Sequence, residues 1–476
     1  MNNFAAGTRV HILAIGGSGM SAIARILNVN GCQVSGSDSA DTSRLQTLRV
    51  EGIDAYVGHD AENMLQRSPQ LVVYSAAIPD SNEELQAARN AGIAVLSRAD
   101  AVAELMATRD VIEVMGTHGK TTTASMAAMA ALAAGVDVSY LVGSEIAQVG
   151  SNARWAGPVT VVEGDESDAS GFRLAPSVLV VTNLDVDHMD FWPDQSKLLE
   201  TFEHFAAAVC GAQGDDGVVI ACADDPGAHR IAMAAERAGR RVITYGTSET
   251  ADVRVADVRP GVTGQTARIT GVVDVPSLRL RLPGLHNLRN AAAVIALAHV
   301  RGWSIPAVVE SLSNFQSTRR RFEVIADVAG ITVIDDYAHH PTAVAATIAG
   351  AQGIAAALRE AGEPARVVAV CQPYRWYRTA AMTSDYADSL AGADVVLLLD
   401  VYGPGEQPIA GAGSAAIAEL MTTAHAYVRE KQQAIAWVLE NGLRGDLVLT
   451  LGGEDVRTVA TDLAAALPSA SAGGSS

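Results

Sequence analysis

The stretch GTHGKTTT, residues 116–123, follows the apolar run VIEVM and packs two glycines, a lysine and three threonines where a strand should stop. That combination suits a phosphate cradle. Glycines let the backbone approach an anion, the N–H groups of a following helix face it, Lys120 reaches terminal phosphates, and Thr121 can ligate magnesium. On this reading Gly116, Thr117, His118, Gly119, Lys120, Thr121 and Thr122 hold a nucleoside triphosphate. The spacing is shorter than GxxxxGK[ST], but the order of strand, Gly, Lys, Thr and helix is kept. A second glycine-rich stretch, GSGMSA from Gly17 to Ala22, fits GxGxxG/A after the strand RVHILAIGG. Asp38 lies about 20 residues further on, where a ribose-binding acid belongs. Alone, this stretch reads as a dinucleotide site or as a turn whose glycines serve packing.

VEGDESDAS, residues 162–170, ends one strand with Glu163, Asp165, Glu166 and Asp168, and DVDHMD, residues 185–190, ends the next with His188 among acids. Carboxylates and one imidazole beside a triphosphate suit Mg²⁺, which keeps several waters and takes few protein ligands. Any one of these acids, taken singly, reads as a solvated residue or a helix cap. Further on, QPYRWYRT sets Arg375 and Arg378 just past a strand, where two guanidiniums can clamp a carboxylate. IDDYAHHPT and STRRRFE bring more acids, histidines and arginines to strand ends or linkers. The paired histidines before proline read equally well as a turn.

Elements that could position these residues are legible as a repeating pattern. Apolar runs of strand length alternate with Ala-rich segments of helical period, as expected for helices covering both faces of mostly parallel sheets. The class is α/β. Runs of buried strands restart three times in the 476 residues, which predicts three domains. These are a Rossmann-like domain over 1–107, a central P-loop ATPase-type parallel sheet over 108–316, and a Rossmann-like α/β domain over 317–476. Every polar motif falls at a strand's carboxyl end, where parallel sheets bind ligands.

The formal net charge of −19 argues against nucleic acid or anionic membrane as partner and leaves anions to local clusters of cations and backbone N–H groups. No uninterrupted apolar run reaches the roughly 20 residues that span a bilayer, and the first residues lack a signal-peptide pattern, so a cytoplasmic location is expected. Cys32, Cys210, Cys222 and Cys371 show no CxxC spacing, which predicts neither disulfide nor zinc site. The tail LPSASAGGSS reads as disordered.

In order, AIGGSGMSAIA, GSD, SAAIP, GTHGKTTT, DESDAS, TNLDVDHMD, LPGLHNLRNAAA, RRRFE, DDYAHHPT and QPYRWYRT resemble the Mur ligase family across nearly the whole chain. The resemblance implies an ATP- and Mg²⁺-dependent ligase that joins a small L-amino acid to UDP-N-acetylmuramic acid through an acyl phosphate. It implies that Gly16, Gly17, Ser18, Gly19, Met20, Asp38, Ser75 and Ala76 hold the UDP-sugar, so the dinucleotide-like turn serves that ligand and not NAD. Lys120 and Thr121 would hold ATP and Mg²⁺, with Glu166 (or else Glu163) and His188 as metal ligands. Asn287, Asn290, Arg321 and Asp336 would complete the ATP pocket, and His340, Arg375 and Arg378 would receive the amino acid. Lys120, His188 and Arg321 are the implied catalytic residues, and the enzyme would act as a monomer or homodimer.

Three departures stand out. The family's QPHRYTRT reads QPYRWYRT, GHHP reads AHHP, and EADESD reads EGDESD. The first two surround the amino-acid pocket and leave L-alanine, glycine and L-serine unranked. Sister ligases that add later residues carry a modified lysine where this chain has Glu203, which favours the branch that adds the first amino acid. Rival readings are a ligase that attaches a ready-made tripeptide to the same sugar nucleotide, an NAD-dependent dehydrogenase, and a nucleotide-switched binding module.

Overall fold

The computed structural model describes residues 3–75, 77–189, 191–192, 194–210, 217–453 and 455–467. Ala76 and all but the first residue of the tail therefore lie outside the described residues. The chain forms two compact units: one holds the residues up to Arg254 with Gly271–Val273 and Asn290–Leu312, the other Val255–Thr270, Asp274–Arg289 and the chain from Ser313. The α/β class holds throughout.

In the first unit, β1 (Arg9–Leu13), β2 (Gln33–Asp38), β3 (Asp54–Val57), β4 (Leu71–Tyr74) and β5 (Ala94–Ser97) form a sheet of order β3-β2-β1-β4-β5. All four pairings are parallel. The order reverses beside β1, and that is where a ligand crevice opens in a doubly wound sheet. The turn after β1 leads into the helix Ser18–Val29, whose Ile23, Ile26 and Leu27 are buried.

The same unit contains β6 (Asp110–Met115), β7 (Val138–Ile146), β8 (Ser151–Arg154), β9 (Val159–Glu163), β10 (Val178–Val181), β11 (Val218–Cys222), β12 (Arg241–Gly246) and the start of β13 (Val253–Gly261). Their order is β13-β12-β11-β10-β6-β9-β7-β8. Thus β6 lies between β10 and β9, both from later in the chain. That insertion sets the carboxyl ends of three strands side by side. Leu141, Ala153 and Val162 of this sheet join Ile23, Leu27 and Val34 of the first in one buried cluster. The expectation of separate N-terminal and central domains corresponds to two sheets within one compact unit.

In the second unit the rest of β13 neighbours β14 (Gly264–Gly271), which pairs antiparallel with β15 (Val275–Leu280). A further sheet of order β16-β17-β21-β18-β19-β20 comprises β16 (Glu323–Val328), β17 (Ile331–Asp336), β18 (Arg366–Gln372), β19 (Val395–Leu399), β20 (His425–Arg429) and β21 (Asp446–Gly452). It is parallel except for β16 against β17. The helix Pro341–Glu360 is by length and composition apolar enough to span a membrane, which the sequence reading did not anticipate. It buries Val344, Ile348, Ala351 and Ala355 and touches β18 and β21, so its apolar face covers a sheet.

Candidate active site

β6 ends at Met115, and the chain turns through Gly116 and Gly119 into the buried helix Lys120–Ala133. Both glycines have left-handed φ, +123° and +82°. A Cβ on Gly116 would stand 2.3 Å from Thr182 Oγ1 and 2.6 Å from the Asn183 carbonyl oxygen, so no larger residue fits. Asn183 braces the turn: its carbonyl accepts from Thr117 N at 3.0 Å and its Oδ1 from His118 N at 2.9 Å. Its Nδ2 donates to His118 O at 2.9 Å, and His118 Nε2 lies 3.0 Å from Asp185 Oδ2. The first turn of the following helix therefore presents its N–H groups in a fixed loop.

Lys120 donates to Gly116 O at 2.7 Å, Thr117 O at 3.1 Å and Glu166 Oε1 at 3.0 Å. Glu166 is buried, and burial pushes its carboxyl up to about 7 against the pull of Lys120. Its Oε2 is 2.8 Å from Lys120 Nζ but lacks hydrogen-bond geometry among the described residues. Thr121 Oγ1 donates to Glu163 Oε1 at 2.7 Å, and Gly143 N to Glu163 Oε2 at 2.6 Å. His188, at a left-handed φ of +54°, brings Nε2 to 3.8 Å from Glu166 Oε1. Both acids weighed as metal ligands thus reach the same turn, Glu163 beside Thr121 and Glu166 beside Lys120 and His188. Thr122 is buried behind them. Hydroxyl and carboxylate oxygens with one imidazole form a donor set that fits Mg²⁺.

The turn after β1 is held by Asp38, whose Oδ2 accepts from Gly16 N at 2.9 Å. Gly17 starts the helix without a side-chain cap. Met20 is buried in the core, so only its backbone is available to a ligand. Ser75 follows β4 and accepts from Ala77 N at 3.3 Å. A cavity of about 220 Å³ joins the two turns: Ser18 and Gly19 line it together with Lys120, Glu163 and Asp165. Asn290 also reaches the phosphate turn, with Oδ1 3.0 Å from the position of a Cβ on Gly119.

The second unit holds the remaining candidates. Asp336, buried, accepts from Phe322 N and Ala338 N, both at 2.8 Å, and Arg321 stacks over Tyr337 at 5.4 Å. Burial raises the Asp336 carboxyl, opposed by Arg321. Asn287 donates to Pro283 O at 2.7 Å. His340 is buried and caps the helix Pro341–Glu360 by accepting from Thr342 N at 3.3 Å. Arg375, at φ +73°, lies 3.5 Å from Glu406 Oε1, and Arg378 is buried with Nη1 donating to Tyr374 O at 3.1 Å. Glu406 Oε2 also accepts from Trp376 N at 2.5 Å. The sequence reading missed Glu406, Asn183 and Arg98; Asn183 alone sat in a quoted motif.

Family models match the chain in series: the Mur ligase family catalytic domain over residues 9–110, the middle domain over 114–298 and the glutamate ligase domain over 320–453. A UDP-N-acetylmuramate–L-alanine ligase of Kineococcus radiotolerans is 43% identical over 96% of this chain and 95% of its own length. One from Acidothermus cellulolyticus is 41% identical over 94% and 92%. The crystal structure of UDP-N-acetylmuramate–alanine ligase from Thermotoga maritima superposes with a TM-score of 0.80 at 25% identity, covering 96% of this chain and 98% of that one. A murein peptide ligase from Psychrobacter arcticus shares the fold at a TM-score of 0.68 and 23% identity, over 97% and 99%. With its three domains matched in order and full-length relatives this similar, the chain belongs to the Mur ligase family.

Proposed function

We propose that the protein joins L-alanine to the lactyl carboxylate of UDP-N-acetylmuramic acid at the expense of ATP, a cytoplasmic step in peptidoglycan precursor synthesis. One observation carries the reading: the Ser18–Gly19 turn and the Lys120 turn open on a single cavity in one compact unit. A sugar nucleotide on one turn and a triphosphate on the other bring a carboxylate and a γ-phosphoryl group together. Relatives named for this reaction, 38–43% identical, support the choice of substrates.

A lactyl carboxylate oxygen attacks the γ-phosphorus, the bond to the β-γ bridging oxygen breaks, and ADP leaves. Lys120 balances charge in this transfer by turning from Glu166 to the phosphates. Mg²⁺, held by Thr121, His188 and Glu166 or Glu163, supplies further neutralisation when bound. The α-amine then attacks the acyl carbon, loses a proton, and phosphate departs from the tetrahedral intermediate. We assign Asn287, Asn290, Arg321 and Asp336 to ATP and His340, Arg375 and Arg378 to the amino acid. Arg375 and Arg378 supply the planar donors that a carboxylate needs.

Phosphate release from ATP, Mg²⁺ and UDP-N-acetylmuramic acid tests the reading, with L-alanine, glycine, L-serine or the stem tripeptide added in turn and NAD⁺ as control. Release that requires the sugar nucleotide and L-alanine is expected. Release only with tripeptide moves the protein to the recycling reaction, and release indifferent to the sugar nucleotide overturns the ligase.

A further inference from the structure

Arg98 begins the helix Arg98–Met106, directly after β5, and Ser97 caps that helix by accepting from Asp100 N. Its Nη2 donates to Asp165 Oδ2 at 2.8 Å, Asp168 Oδ2 at 2.9 Å and Ser170 Oγ at 3.4 Å. Two carboxylate oxygens and a hydroxyl thus fix the guanidinium in one orientation. Its Nη1 is unused: among the described residues it makes no hydrogen bond. Nη1 points toward the sugar-nucleotide turn, 3.4 Å from where a Cβ on Gly19 would be, and Arg98 lines the cavity between the two turns.

The cavity has two cationic side chains in its lining, Arg98 and Lys120, facing Glu163 and Asp165. Lys120 is committed to the phosphates, while a carboxylate entering beside these acids is repelled unless a donor meets it. We propose that Arg98 is a catalytic residue that receives the lactyl carboxylate of the sugar nucleotide on Nη1 and aims it at the γ-phosphorus. This inference rests on the ligase reading given above. Asp165 and Asp168 hold the guanidinium from behind, so its donors are preorganised before the substrate arrives. One carboxylate oxygen stays on Arg98 while the other forms the bond to phosphorus; as the acyl phosphate forms, the charge on that carboxylate passes to the phosphoryl oxygens.

The test compares binding of UDP-N-acetylmuramic acid with binding of its lactyl methyl ester, which differs in that one charge, to wild type, Arg98→Gln and Arg98→Lys by calorimetry. Wild type should prefer the acid by roughly tenfold or more, the scale of a charge-assisted pair. Arg98→Gln should bring the ratio near one with ester affinity within about twofold of wild type, the scale on which a lost donor leaves other contacts intact. Arg98→Lys should keep part of the preference. Equal weakening of both ligands in Arg98→Gln overturns the proposal, because Arg98 then acts only by placing Asp165 and Asp168; so does an unchanged ratio, or a wild type without preference. Wild-type turnover with L-alanine is measured in parallel. Its absence sinks the ligase reading and this proposal with it, whereas normal turnover with an unmoved ratio sinks the proposal alone.

Discussion

The turn after β1 and the turn after β6 share one plan, a strand, a glycine-rich bend and a helix N-terminus, yet they are armed differently. The first is tied by a single acid, with Asp38 accepting from Gly16 N. The second is enclosed by Asn183 on one side and carries Lys120, already balanced by Glu166. A diphosphate that needs only backbone donors can use the first design. A γ-phosphoryl group that gains charge during transfer needs the cation of the second. The lesson is that the backbone device selects phosphate in general, and the side chains brought in by neighbouring strands select the chemistry.

Removing the cation breaks this contrast most directly. Lys120→Ala should lower kcat by about a thousandfold or more, the scale of losing a preorganised charge, while the sugar nucleotide still binds. Steady-state kinetics with a binding measurement decides it, and full turnover removes Lys120 from the phosphate site. Next in size is Gly116→Ala, which must place a methyl against the Asn183 carbonyl at φ +123°. It should cost roughly 3–5 kcal/mol, read as a drop in unfolding midpoint.

The support beneath the first turn comes third. Glu84 is fully buried, accepting from Tyr56 OH at 2.6 Å and from Ser37, with His59 Nδ1 at 2.9 Å and His11 Nε2 at 3.7 Å. At 3.7 Å, His11 is an electrostatic neighbour and not a hydrogen-bond donor. Burial alone would raise this carboxyl, but the four polar neighbours outweigh it and hold it down at about 2. A depressed carboxyl stabilises the fold above its unfolded value of about 4.5, and that stability is lost as pH falls toward 2. Glu84→Gln should therefore cost about 3 kcal/mol at neutral pH and much less near pH 3, measured by denaturant unfolding. An equal cost at both pH values would mean that packing, not charge, is what Glu84 contributes. Smallest is Gly16→Ala: its methyl would meet a side-chain end, Asp38 Oδ2 at 2.8 Å, and its φ is ordinary. A loss of about 1 kcal/mol is expected, with a raised KM for the sugar nucleotide and unchanged KM for ATP. If Gly16→Ala harms the protein as much as Gly116→Ala, the two turns are equally rigid and the contrast fails.

Two departures from the family pattern acquire a physical reason. Gly164 replaces alanine in EGDESD, and a Cβ there would fall 2.2 Å from Glu113 Oε1. Glu113 is fully buried on β6 with neither oxygen hydrogen-bonded among the described residues, and burial raises its carboxyl strongly. The missing methyl makes room for that buried carboxyl. Tyr374, which replaces histidine in QPYRWYRT, packs over Gly453, where a Cβ would meet its ring at 2.5 Å. Neither pairing can be read from the sequence, because the partners lie 51 and 79 positions apart.

By itself, the sequence determined the α/β class, the two glycine-rich turns and the identity of the charged residues around them. Those signals are local: strand, turn and helix follow from neighbours a few positions away. Tertiary structure decided which of those residues meet. Inserting β6 between β9 and β10 placed Glu163 beside Thr121 and Asn183 beside Thr117. Docking the first sheet against the second carried Arg98 to Asp165, 67 positions away, from a segment with no motif of its own. Such contacts depend on the strand order and on the shared core of two sheets, quantities that no short window of residues contains.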